Sequence, residues 1–441
     1  MVFCTASMED DIVSYKGRLA MRKILLLLVL FYESDAWADM YAALQYVYDT
    51  NPVIQAGRSA VDVAAADVKV SATEFQPYVG LSGNAGAART KIIDDTFDYS
   101  PLQYGVEFQQ NLFQGGANFA RYKGAKGLLI AQQAQLYATQ QDVFMDAINA
   151  YIEVLNAKQV LELNENNQRV LRQYYEFVYD GQRVGKLTNT DVSQAAARLE
   201  MANYYVTDAQ AKYENALETF RRIYGDVNCD FVEINLTPVE KLFPQSIISA
   251  EDVALRNHPW LQALNAQEDA AKHNIYYSYK SILPSVDVRG SVQKIDDLPY
   301  LDDVRDSRIG VYLKMPLYDK GYAFAGAERA RASVSEIHDK TINARRVIVE
   351  NLRMAWNIYQ SQYAAINAAD ASVKANSMAL DGIRDEQKRG RRTVLDVLNA
   401  EQELLNSRVA YVRARHAQIS AYFAILSAMG NLTPENLNLD L

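Results

Sequence analysis

The residues best placed for chemistry are two aspartates that occupy the same position in two similar segments, 183–192 (RVGKLTNTDV) and 388–397 (KRGRRTVLDV). Asp191 and Asp396 each follow a threonine by three residues. That spacing is typical of a carboxylate in the first turn of a helix, where the positive end of the helix dipole stabilises it. No other group is spaced for acid–base catalysis, so the pattern favours a capping role over an enzymatic one.

Other patterns that carry chemistry are missing from the sequence. The four histidines are isolated from one another and from cysteine: His258, His273, His338 and His416. The sequence contains no phosphate-binding loop, no G-x-S-x-G and no dinucleotide fingerprint. It therefore predicts no metal site, no cofactor and no enzyme. His258 is instead predicted to start a helix, because it precedes Pro259 as Asn51 precedes Pro52, and proline is tolerated in the first helical turn.

The two aspartate segments each lie between two long helical patterns. Gly185 and Gly390 suit the left-handed conformation that ends a helix, and three residues later Thr188 and Thr393 suit the N-cap of the next helix. Each segment therefore predicts a tight helical hairpin.

The helical arms of these hairpins are long and carry coiled-coil spacing. Residues 117–182 and 322–388 contain no proline, and helices of that length extend roughly 100 Å. In the first arm, apolar residues follow alternating steps of four and three: Val143, Ala147, Ala150, Val154, Ala157 and Leu161. The last helix has two seams, one of large apolar residues every seven positions from Leu398 to Leu426 and one of alanines on another face. A helix with two seams is predicted to pack between two neighbours.

Most of the chain is duplicated. Pro52 and Gly83 recur 207 residues later, whereas Gly105 and Gly116 recur 205 residues later, so a two-residue length difference is predicted in a loop between Gly83 and Gly105. Each copy contains a helix, a β-hairpin and a long helical hairpin. The predicted divisions are a leader and signal peptide (1–38), a first repeat (39–232), an equatorial connection (233–249), a second repeat (250–430) and a short tail (431–441).

Residues 1–38 are predicted to end in a secretory signal. A basic start at Arg22 and Lys23 precedes an apolar run that leads to a small-residue cleavage site at Ala38. The apolar run is about half the ~20 residues of a spanning helix, which disfavours a membrane anchor. N-terminal sequencing of the membrane-extracted protein is therefore expected to begin at Asp39, and a retained signal segment would contradict this prediction.

The exported chain is acidic, with 41 Lys and Arg against 49 Asp and Glu once residues 1–38 are removed, a net charge of −8. This balance argues against nucleic acid as a partner. No later apolar run has the length of a transmembrane helix, so an exported chain of this kind is expected to be soluble or to cross a membrane as β-strands.

Four segments alternate apolar and polar residues with the period of a strand: 79–87, 103–112, 285–293 and 308–317. They are predicted to form two hairpins with polar connections at 91–100 and 296–307. Each segment is about the length of a tilted transmembrane strand, but a membrane barrel needs roughly eight strands or more. One interpretation is a soluble sheet covered by helices, and the other is an oligomer in which several chains share one barrel. The length of the helical arms favours the oligomer.

These segments together resemble the TolC-type outer-membrane efflux ducts, which include the ducts of type I secretion systems. The resemblance extends from Asn51 through 390–405 (GRRTVLDVLNAEQELL) to 428–432 (AMGNL), and G-x-R-T-x-x-D-V-L is its most specific part. It implies a mainly α fold with β, in which a homotrimer forms one twelve-stranded β-barrel in the outer membrane of a Gram-negative bacterium. The long coiled-coil helices would continue this barrel as a periplasmic α-barrel, whose tip meets a periplasmic adaptor and an inner-membrane transporter.

Carried over by position, the resemblance implies a gate at the periplasmic tip. Asp396 would line the closed tip, and Arg392 would belong to the polar network that holds it shut. Thr190 and Asp191 would be their neighbours on the other pair of helices.

The chain departs from the family pattern at two gate positions. Asn399 stands where the family has a second aspartate, and Gln387 stands where it has a tyrosine, which puts in question a double acidic ring and the usual latch contacts. The resemblance also implies that the adaptor docks on the turns of the two hairpins, at Val184, Gly185, Lys186, Arg389, Gly390 and Arg391. Lys186 stands where an apolar residue is common.

The sequence therefore predicts a passive export duct that is opened by an adaptor and a transporter. The alternative from another class is a periplasmic coiled-coil adaptor or scaffold that never enters a membrane, and membrane fractionation distinguishes the two. The exported substrate is not readable from the residues, because the wall of a duct meets only what its transporter delivers.

Overall fold

The structure is a computed structural model that describes residues 40–225, 227, 229–301 and 303–439. The predicted leader and its cleavage site before Asp39 lie outside the described residues. Within those residues, no helix combines the length and the apolar content needed to cross a membrane.

The same order of helices occurs twice along the chain. The first set comprises α1 (Met40–Thr50), α2 (Pro52–Ala72), α3 (Ala117–Arg183) and α4 (Asn189–Tyr224). The second set comprises α5 (Ile247–Asn257), α6 (Pro259–Tyr277), α7 (Tyr322–Lys388) and α8 (Val394–Ala428). Helices α3 and α7 have 67 residues each, so both extend about 100 Å. The predicted long helical arms are therefore confirmed to within one residue.

Helices α2 and α6 begin at the two prolines that the sequence singled out. The side chain of Asn51 accepts a hydrogen bond from the N–H of Val53 (2.9 Å), and Nδ1 of His258 accepts one from the N–H of Trp260 (3.3 Å). Burial lowers the pKa of His258 to about 4, so its ring is neutral and free to accept this bond near neutral pH. Among the described residues, no group of three or more His, Cys, Asp or Glu side chains is placed to hold a metal ion.

Six strands lie between the helices: β1 (Tyr78–Ala85), β2 (Ala88–Ile92), β3 (Asp95–Tyr99), β4 (Leu102–Gln114), β5 (Ser285–Asp296) and β6 (Val304–Lys314). Four of them form one antiparallel sheet in the order β1-β4-β5-β6. One face is apolar and open, with Leu81 87% exposed and Ile309 83% exposed. The other face is polar, and Gln293 links its neighbours there by accepting from Gln103 (2.6 Å) and donating to Asp306 (3.0 Å).

The predicted polar connection at 91–100 does join β1 to β4, and it contains a small hairpin of β2 and β3 that the sequence did not predict. An ion pair between Arg89 and Asp98 (2.5 Å) joins the two strands, and the ring of Phe97 meets that of Tyr300 edge-on at 4.5 Å. The second repeat has no matching strands in its described loop, so the predicted length difference lies in a region that includes this hairpin. Strands of five residues with few apolar side chains are too short to show a clear period of two.

The main core lies halfway along α3. The segment 229–243 and the tail pack there against α1, α3 and the ends of α4 and α8. The ring of Phe220 stacks on Tyr224 at 4.1 Å, and the hydroxyl of Tyr224 donates to the carbonyl of Ala147 (3.0 Å). The predicted seam of α3 is buried throughout from Val143 to Leu161. Helix α8 packs against both α7 and α3, which confirms the prediction from its two seams.

Candidate functional site at the tips of the helical hairpins

Both hairpins turn through the same Schellman arrangement of backbone hydrogen bonds. In the first hairpin, the N–H of Lys186 donates to the carbonyl of Gly181 (2.8 Å), and the N–H of Gly185 donates to that of Gln182 (2.9 Å). The second hairpin repeats both bonds around Gly390, each at 2.9 Å. The two turn glycines have a φ of 73°, a left-handed conformation that a side chain would strain. The predicted helix ends are confirmed.

Each hairpin starts its second helix with a capping box. Oγ1 of Thr188 accepts from the N–H of Asp191 (3.2 Å), and the carboxylate of Asp191 accepts from the N–H of Thr188 (2.9 Å). Thr393 and Asp396 repeat these bonds at 3.2 Å and 2.9 Å. Both aspartates are half-buried and fixed one turn from the tip of their hairpin. The predicted cap and first-turn positions are confirmed.

Asp396 is held in its charged form at the tip. Its pKa lies below the usual range because its carboxylate accepts hydrogen bonds from the N–H and the hydroxyl of Thr393, with a smaller contribution from the positive charge of Arg392. The ion pair of Arg392 is with Glu386, on the other side of the turn (Nε–Oε2 2.8 Å). Arg392 therefore acts on Asp396 at a distance and is positioned by a carboxylate of its own hairpin.

The two hairpins lie side by side near their tips. Buried residues of α3, α4 and α8 form one apolar cluster there: Leu171, Val178, Ala195, Ala202, Val394 and Leu398. Next to this cluster, Arg198 of α4 donates a hydrogen bond to Oδ1 of Asn399 in α8 (2.8 Å). The position that would carry a second acidic ring is therefore occupied by an amide that joins the two hairpins.

The remaining gate candidates lie at the same end of the molecule. Thr190 is exposed in the first turn of α4, and Gln387 is half-buried in the last turn of α7. In the described part of the chain, no hydrogen bond or ion pair joins Asp191 to Asp396 or Thr190 to Arg392. Within one chain, Asn399 of the second hairpin therefore contacts the first hairpin. Between the other gate candidates of the two hairpins, the described residues show no such bond.

Sequence reasoning missed a polar cluster about two to three turns from the tips. Arg384 of α7 pairs with Glu401 of α8, whose side chain is nearly buried, and Tyr174 of α3 lies beside them. Burial, together with the negative charge of Asp191, raises the pKa of the Tyr174 hydroxyl to about 12. These side chains come from four helices, so no local spacing in the sequence could have revealed them.

The candidate docking residues occupy the turns themselves. All six are exposed, and Val184 is the apolar one, with 69% of its surface accessible: Val184, Gly185, Lys186, Arg389, Gly390 and Arg391. Together they offer a small apolar and basic surface at the far end of both hairpins.

Comparison with known proteins identifies the family. The sequence model of the outer membrane efflux protein family matches residues 43–226 and 251–431, which is most of the chain and both sets of helices. The chain belongs to this family. Membership excludes the alternative of a periplasmic adaptor or scaffold and makes the chain an outer-membrane duct.

Individual relatives agree with this assignment. The outer membrane efflux protein BepC of Brucella suis is 26% identical over 403 residues, which cover 90% of this chain and 87% of BepC. The alkaline protease secretion protein AprF of Pseudomonas aeruginosa is 24% identical over 352 residues, 78% of this chain and 72% of AprF. The Campylobacter jejuni CmeC outer membrane channel has the same fold, with a TM-score of 0.81 and 15% identity over 93% of this chain and 94% of CmeC. The resemblance to TolC-type ducts and the predicted fold class are thereby confirmed.

Proposed function

We propose that three copies of this chain form one duct, which passes substrates across the outer membrane when a periplasmic adaptor and an inner-membrane transporter engage it. In this proposal, the chain divides into a removed leader (1–38), two repeats (39–232 and 250–430), an equatorial connection (233–249) and a tail (431–441). The observation that carries the proposal is the four-stranded sheet with its open apolar face.

The sheet supports assembly because it is incomplete in one chain. Among the described strands, β1 and β6 are the edges of the four-stranded sheet and each pairs on one side only. The N–H and C=O groups on their other side are available to pair with a strand of another chain. Joining β6 of one chain to β1 of the next, three times, gives twelve strands and no free edge. The apolar face would then contact lipid, and the polar face with Gln293 would line the lumen.

The helical hairpins support a periplasmic tunnel with a gate at its tip. Helices α3 and α7 extend about 100 Å from the sheet, so their tips lie far from the outer membrane. Three copies of Asp396 would meet around the lumen there, with Arg392 beside each on the same hairpin and with Asp191 and Thr190 as neighbours on the other hairpin. The turn surface at Val184 and Arg389 would receive the adaptor.

The duct would perform no covalent chemistry, and the transporter would supply both the energy and the choice of substrate. BepC is an efflux protein and AprF serves protease secretion, so relatives with similar coverage work with different cargo. Efflux and type I secretion are therefore both compatible with this chain.

A photo-crosslinking amino acid at Val184 tests the proposed docking surface in living cells. We expect it to capture an adaptor, recognisable by mass spectrometry as a periplasmic protein with a helical hairpin of its own. The matched control is Ile248, which is also apolar and exposed but lies on α5, away from the tips. Adducts of equal yield at both positions, or no adaptor at Val184, would contradict docking at the tip.

A further inference from the structure

A basic and aromatic stripe begins where the sheet ends. Helix α3 starts three residues after β4, and its first turns carry Phe119, Lys123 and Lys126 at spacings of four and three, which places them along one side of the helix. All three are exposed, Phe119 by 54% of its surface. The amide of Asn118 instead contacts Asn111, which lies on the polar face of the sheet (3.2 Å), so the stripe projects from a different side of the helix.

Both lysines reach back towards the sheet. Nζ of Lys123 lies 4.7 Å from the ring centre of Phe119, and Nζ of Lys126 lies 4.7 Å from that of Tyr122. Side chains on a helix tilt towards its N-terminus, which for α3 is the end at the sheet. The two ammonium groups therefore sit about one turn closer to the membrane boundary than their backbones do.

These lysines are unneutralised within the protein. The sequence contains no Asp or Glu from 108 to 141, and in the described part of the chain neither lysine forms an ion pair. The nearby cations differ, because Arg121 and Lys280 both pair with Glu74. Neither lysine has an acidic residue three or four positions away on α3, so pairing within the helix gives no reason for them.

The second repeat matches this stripe only in part. Phe324 and Arg331 lie 205 residues after Phe119 and Lys126, and Phe324 is 65% exposed. Nη2 of Arg331 donates to the hydroxyl of Tyr279 (2.9 Å), whose ring meets Phe324 edge-on at 6.1 Å. Glu328, which is exposed, stands at the position that matches Lys123. The second patch therefore combines an aromatic ring with one cation and one carboxylate, and only the first patch is basic.

We propose that the first patch, formed by Phe119, Lys123 and Lys126, binds the headgroups of anionic phospholipids in the periplasmic leaflet of the outer membrane. The inference rests on the proposed function, which puts the sheet across the membrane. The rings would lie at the boundary between acyl chains and headgroups, and the cations would contact the phosphates. A trimer would carry three such patches in a ring.

Native mass spectrometry of the detergent-purified trimer tests this binding directly. With phosphatidylglycerol and phosphatidylcholine added separately, we expect the wild-type trimer to retain more phosphatidylglycerol, less so at high salt. The double variant Lys123→Gln with Lys126→Gln should reduce that preference roughly tenfold, because each cation near an anionic lipid contributes several-fold to binding. Replacing both lysines with arginine should preserve it.

The matched control is Lys212→Gln with Lys241→Gln, which removes two exposed lysines far from the sheet and should leave the preference unchanged. A wild-type trimer without preference, or a double variant equal to wild type, would overturn the inference while leaving the duct intact. Failure of the proposed function has a different signature, since the wild-type chain would then yield no trimer in membrane extracts.

Discussion

Ile309→Arg should prevent the chain from assembling in the outer membrane. Ile309 lies midway along β6 on the apolar face, 83% exposed in one chain and directed at lipid in the proposed trimer. An arginine on the lipid face near the centre of the bilayer costs about 2–4 kcal/mol per chain. A trimer contains three copies of the substitution, so the total cost is three times larger and little trimer should form. The measurement is the yield of heat-resistant trimer in outer-membrane extracts.

Depth provides the internal test of this prediction. Leu313 is also apolar and exposed, but it lies one residue from the periplasmic end of β6. Near the interface the cost of an arginine falls to roughly 0–1 kcal/mol, so Leu313→Arg should assemble nearly normally. Ser291→Arg is the control for the other face, because Ser291 lies opposite Glu107 on the polar side. Equal effects at Ile309 and Ser291 would show that neither face contacts lipid.

The parts of the fold that the sequence predicted are those set by neighbouring residues. The hairpin turns followed from Gly185 and Thr188 because helix caps depend on spacings of three to six residues. The long helices followed from a seam that repeats every seven residues without an intervening proline. Local rules of this kind also apply twice, since the second repeat reproduces them at Gly390 and Thr393.

The parts that could not be predicted depend on contacts between distant segments. The bond from Arg198 to Asn399 joins residues 201 positions apart, on different repeats. Tyr174 meets the pair of Arg384 and Glu401 only because three helices converge there. The hairpin of β2 and β3 was not predicted for a different reason. Its contacts are local, but its strands are too short to show an alternating pattern.

The gate was predicted by resemblance, and the structure changes how its parts are connected. Arg392 contacts Glu386 of its own hairpin, so removal of Arg392 would leave that carboxylate without its ion pair. Arg198 donates a hydrogen bond to Asn399, and this bond links the two hairpins. Position 399 itself is uncharged, because it carries an amide. In a closed trimer, the like charges of three Asp396 side chains would repel, and three Arg392 side chains would offset that repulsion.

Single-channel recording in planar bilayers should therefore separate the roles of these two residues. Asp396→Asn keeps the size of the side chain and should lower both the preference for cations and the block by divalent cations, because the ring loses its charge. Arg392→Ser should raise conductance, because the carboxylates at the tip are no longer offset and the closed state loosens. Arg391→Ser is the matched control, as Arg391 is exposed on the adjacent turn and should leave conductance unchanged in the absence of adaptor. If Asp396→Asn alters neither selectivity nor block while Arg392→Ser matches Arg391→Ser, Asp396 serves only as a helix cap and the constriction lies elsewhere along the tunnel.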